Sequence, residues 1–160
     1  MNPSSTSKAP RAQLDGFLAK FSPDVRAVAT AALTKMRHRV PGSLELVYDN
    51  YNALAIGFSP SERASEAIFS IAVYPRWVSL FFLQSGTELS DPTGLLQGSG
   101  SKVRHIVLAS AGDLDKKEVQ ALIKDALVRA SHPVGSTAKS RIIIKSVSAK
   151  QRPRRPGPRT

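Results

Sequence analysis

Two apolar runs, residues 67–74 and 77–83, stand two residues apart, joined only by Pro75-Arg76. Bulky apolar side chains recur along each: Ile68, Phe69, Ile71 and Val73 in the first, Val78, Leu80, Phe81 and Phe82 in the second. A link this tight makes them neighbouring strands of one hairpin. Strands that are apolar on both faces belong in the centre of a sheet, or in a sheet with helices over one face and loops over the other.

The rest of the chain supplies the cover. Residues 44–48 and 53–58 read as two more strands, separated by Asp49-Asn50-Tyr51-Asn52, residues that favour turns. A fifth strand is expected at 103–108; the β-prone 141–145 segment either returns to a sheet edge as a last strand or stays outside the sheet, a choice the sequence leaves open. Leu14, Phe17, Leu18 and Phe21 fall on one face of a short helix. Ser22-Pro23-Asp24 starts a second helix whose apolar stripe runs from Val25 to Val40 and stops at Pro41-Gly42. Asp115 and Glu118 have the spacing of a capping box opening a third helix that ends at His132-Pro133. Helices and strands are segregated along the chain, which predicts an α+β fold: an antiparallel sheet of five to six strands packed against two N-terminal helices and one C-terminal helix.

A length of 160 residues suits a single domain, expected over 10–147 between a disordered 1–9 segment and a basic, disordered tail at 148–160. Charge supports that division. The net charge is +11, yet residues 11–130 carry only +2, while residues 131–160 hold eight cations and no acid. Such a tail attracts polyanions without reading sequence, through Lys150, Arg152, Arg154, Arg155 and Arg159. It reads equally as a solubilising terminus. There is no cysteine, so disulfides and thiolate metal sites are excluded, and the composition fits a reducing cytoplasm. No apolar run is long enough to span a membrane, and the polar N-terminus does not read as a secretory signal, so no membrane partner is expected.

No catalytic signature is present, and no cofactor is predicted. Gly98-Ser99-Gly100-Ser101-Lys102 has phosphate-loop composition but precedes a strand, so the helix N-terminus such a loop needs is missing. His38, His105 and His132 do not share a metal-binding spacing. Arg76-Trp77 reads either as a base-stacking platform or as core packing of a lone tryptophan. The densest polar group is Tyr48, Asp49, Asn50 and Tyr51 with Asn52, at one strand end. It can position a polar ligand or a hard cation, with Arg104 as a second charged contact; it is also what a hairpin turn with Asp and Asn at positive φ looks like.

The stretches Leu46-Val47-Tyr48-Asp49-Asn50-Tyr51-Asn52, Ile71-Ala72-Val73-Tyr74-Pro75-Arg76-Trp77-Val78, and Asp91-Pro92 through Gly98-Ser99-Gly100 to His105-Ile106 together resemble the YdhG-like family of small bacterial domains. That resemblance implies an antiparallel sheet packed against helices, and because the family includes a frataxin-like iron chaperone it also implies iron as a ligand. Where many relatives carry a Trp-Gly-Met-Pro-like run, this chain has Tyr48-Asp49-Asn50-Tyr51. The expected function is therefore a small cytoplasmic binding module, a monomer or homodimer, for a small polar ligand or metal ion. Nucleic-acid association through the tail is the alternative, with an enzyme a third reading.

Overall fold

The computed structural model describes residues 9–135 and 137–157. Nearly all of the segment expected to be disordered at 1–9 therefore lies outside the described residues. Helix α1 spans Pro10–Leu18 and α2 spans Pro23–Arg39. Pro23 occupies the first turn of α2, Asp24 follows it, and Arg37, His38 and Arg39 fill the last turn, matching the helix dipole at both ends. Ser22 stands at the cap position but its side chain makes no capping bond. Gly42, at φ 88°, turns the chain out of the helix into the sheet, a conformation only glycine adopts cheaply.

Strands β1 (Leu44–Asp49), β2 (Leu54–Ser59), β3 (Phe69–Val73), β4 (Val78–Phe82) and β5 (Arg104–Leu108) pair antiparallel in sequence order. Helix α3 (Lys117–Arg129) follows, and the chain then returns as β6 (Ile142–Val147), parallel to β1 at the far edge. The sheet order is β5-β4-β3-β2-β1-β6, so the sheet is mixed, with one parallel pair. The 141–145 segment does join the sheet. The connection through α3 allows a parallel return, which a short turn does not.

Register divides the sheet into two faces. Val47, Ile56, Ile71, Leu80 and Ile106 lie in one row across five strands, with Phe58, Phe69 and Phe82 in the next. These rows form a single core with Leu14, Phe21, Leu33 and Met36 of the N-terminal helices and Leu122 and Ile123 of α3. The intervening rows, Leu46–Gly57–Ser70–Phe81–His105 and Tyr48–Ala55–Ala72–Ser79–Val107, point the other way. None of them belongs to the core that the helices share.

The capping box expected at Asp115 does not form. Asp115 closes a 3₁₀ turn (Ala111–Asp115), and α3 begins two residues later with no side-chain cap. Its carboxylate instead accepts Lys35 Nζ at 2.6 Å and Arg39 Nη2 at 3.1 Å from α2. The Lys35 hydrogen bond, with help from Arg39, holds the Asp115 carboxyl below its ordinary value. Burial pushes Asp113 up, but the Ala109 amide and Lys116 outweigh it and its carboxyl also sits low. A carboxylate whose folded pKa is depressed stabilises the fold above its unfolded pKa, near 4, and loses that contribution as pH falls through the folded value. Stability is thus expected to be level from about pH 5 to 7 and to fall below about pH 4. Asp115→Asn should cost more stability at pH 6 than at pH 3, which urea unfolding at the two pH values checks.

Candidate ligand-binding cleft

The outward rows place small residues where a central sheet usually carries bulky ones. Ala55, Ser70 and Ala72 form the floor of a cleft of about 510 Å³. Tyr51, Tyr74 and Phe81 rise around it, and Asn50, Asn52 and Ser148 give it a neutral polar rim. Ser70 and Ala72 are nearly buried at the bottom of the cleft.

The aromatic walls are held by turns and cross-strand pairing. The Tyr74 amide donates to the Trp77 carbonyl at 2.9 Å, closing the β3–β4 turn, and the two rings stack at 4.5 Å and 17°. Phe81 lies directly opposite His105 on β5, and those rings stack at 5.0 Å and 18°. Tyr51 is 49% exposed, with the Arg152 guanidinium 5.7 Å from its ring centroid. Trp77, 44% exposed, is not a core residue. Burial pushes the Tyr74 phenol above its ordinary value, so at neutral pH it stays a hydrogen-bond donor.

Of the residues singled out from sequence, Asn50 and Tyr51 line this cleft. Their turn closes through the Asn50 amide and Ala53 carbonyl, at 3.0 Å, without a positive φ at any described residue other than glycine. Tyr48 shares the cleft's face, paired with Ala55, but stands outside the lining, its hydroxyl buried without a partner. Asp49 points to the opposite face, fully buried, and meets Arg154 at 2.8 Å. Arg104 lies on β5, four strands from Asp49, and its guanidinium donates to the carbonyls of Gly100 and Val103. Asp49 and Arg104 do not meet, so a site built on both is not formed. The 98–102 loop turns the Gly100 carbonyl oxygen to Arg104, the wrong polarity for a phosphate.

The tail also departs from expectation. Between Ser148 and Arg155 the tail is docked on the fold. The amides of Ser148 and Arg152 donate to the carbonyls of Asp49 and Tyr51. Arg154, 5% exposed, donates to Asp49 Oδ1 and the Asn50 carbonyl and lies over the Phe21 ring. Arg155 donates to the carbonyls of Lys20 and Ala19. Lys150 and Arg152 remain exposed, and Arg159 lies outside the described residues. Sequence reasoning missed Ala55, Ser70, Ala72, Tyr74 and Phe81. Their signal was present as alternation: small residues at every second position of β2 and β3, between large apolar ones.

Among the described residues no three His, Asp or Glu side chains gather to hold a metal ion, and no helix is long and apolar enough to cross a membrane. No protein-family model, no curated protein and no solved structure matches the chain.

Proposed function

We propose that this chain is a non-enzymatic binding module whose ligand, a flat polar molecule, lies in the cleft on the open face of the sheet. One observation carries the reading: a cleft of about 510 Å³ with a small-residue floor, aromatic walls and a neutral polar rim. That volume, and the balance of apolar wall to a few polar groups, suit a small organic ligand. Among the described residues no carboxylate, imidazole or amine lines the cleft, so none of them offers a general base there at neutral pH.

Flat heterocyclic fragments are expected to shift the backbone resonances of Ala55, Ala72 and Tyr74, with little effect on α3. Ala72→Leu, which fills the floor, should weaken that binding at least about tenfold, because displacing the ligand from the floor costs more than about 1.4 kcal/mol. Val128→Ala, on the exposed side of α3, should leave it unchanged. Fragments that bind elsewhere, or bind Ala72→Leu as well as the parent, would refute the cleft as the site.

A further inference from the structure

We infer that the natural occupant of this open face is single-stranded nucleic acid, its bases stacked in turn on Tyr51, on the Tyr74–Trp77 pair and on Phe81–His105. The inference rests on the reading of the cleft as a ligand site and deepens it.

The aromatic walls of the cleft are also stations spread across the sheet. Tyr51 stands in the β1–β2 turn, Tyr74 and Trp77 in the β3–β4 turn at the same end of the sheet, and Phe81 with His105 farther down β4 and β5. From β1 to β5 the face is four strand spacings wide, roughly 19 Å. A sheet of this width can carry two or three unpaired bases laid flat on aromatic rings. The floor of Ala55, Ser70 and Ala72 keeps the surface low between stations, so a chain of linked bases can cross it. Asn50, Asn52 and Ser148 offer amide and hydroxyl groups suited to base edges.

Charge favours the same occupant. The two outward rows contain no carboxylate. Around them Arg76, Lys150 and Arg152 are exposed, and among the described residues none of the three forms an ion pair. Arg152 already lies over an aromatic ring, where it can meet a phosphate while the ring takes a base. Asp24 lies with Arg76 and Trp77 on the helix side of the groove that ends the strip, and the Asp49 carboxylate is buried on the opposite face against Arg154. A proline-rich peptide also suits an aromatic groove but has no use for unpaired cations at its margin. Duplex DNA would keep its bases stacked on each other and present no ring to these stations.

The chain carries one tryptophan, so Trp77 reports its own surroundings. Titrating the 160-residue protein with an oligo(dT) or oligo(U) of about eight nucleotides at about 50 mM salt should quench Trp77 emission and saturate. The matching duplex should bind at least about tenfold more weakly. Phe81→Ala should weaken single-strand binding roughly 5- to 150-fold, the range for removing one base–aromatic stack. Phe81→Leu keeps the bulk without the aromatic face, and should weaken it in the same direction. Trp77→Phe, followed by anisotropy of a labelled strand, should retain most binding. Arg76→Gln with Arg152→Gln should lower the slope of log K against log salt by about 0.7 for each phosphate no longer neutralised. Equal affinity for duplex, or binding unchanged in Phe81→Ala and Phe81→Leu, would place nucleic acid on the basic C-terminal segment and overturn the inference. If heterocyclic fragments occupy the cleft but no oligonucleotide binds, the inference fails and the small-ligand reading survives. If neither binds, both fail.

Discussion

Arg154→Ala is expected to destabilise the fold by about 3–5 kcal/mol, the cost of removing one partner from a buried ion pair. The Arg154 and Asp49 side chains are 3% and 1% exposed, so solvent screens the pair little. Removing Arg154 leaves the Asp49 carboxylate buried at the end of β1, still accepting nothing at Oδ2. Asp49→Ala strands the guanidinium instead, though the 148–157 strap can lift it toward water and soften that loss. The pair should therefore be non-additive: the double variant Asp49→Ala, Arg154→Ala costs well under the sum of the singles. Urea unfolding of the four proteins measures the cycle. Two single losses below about 1 kcal/mol that simply add would show that the strap does not dock in solution. Because Arg152 anchors to the Tyr51 carbonyl and Ser148 lines the cleft, undocking should also loosen one wall of the proposed site.

That strap shows where sequence reading stops. Lys150, Arg152, Arg154 and Arg155 share a composition that argues for a solvated tail, and nothing local marks Arg154 as different. Its partner lies 105 residues earlier, and the burial exists only once β6 has paired with β1. Asp115 fails for a related reason: the D-x-x-E spacing is a local signal, and two cations from α2 outcompete it. The strands were legible because their periods and turn residues are local. Pro75-Arg76 and the Asn50–Asn52 turn determine which runs pair. The open face was not legible because its signature is what the floor lacks. Ala55, Ser70 and Ala72 draw no attention until register sets them side by side. Trp77 was ambiguous for want of register: only the turn geometry puts its ring against Tyr74 and leaves it half in water.

The alternation of faces makes a sharp test of adjacent residues. Phe82 points to the core, directly across from Phe69, with the rings edge-to-face at 5.7 Å and 74° and both essentially without solvent exposure. Phe82→Ala and Phe69→Ala should each cost about 3–5 kcal/mol, from forfeited transfer energy and the cavity left in a sheet that cannot close around it. For a chain of this length that corresponds to a fall in Tm of roughly 10 °C or more. The double variant should fall short of additivity by about 0.5–1.5 kcal/mol, the part that belongs to the ring pair itself. Phe81, one residue earlier, points to the open face and is only partly buried. Its replacement removes less area from the packed interior and leaves no enclosed cavity, so Phe81→Ala should cost far less stability while, on the reading proposed above, costing most of the binding. Thermal unfolding of the two variants side by side decides it. If Phe81→Ala proves as destabilising as Phe82→Ala, then the open face is packed in solution, and the cleft is part of the core rather than a site.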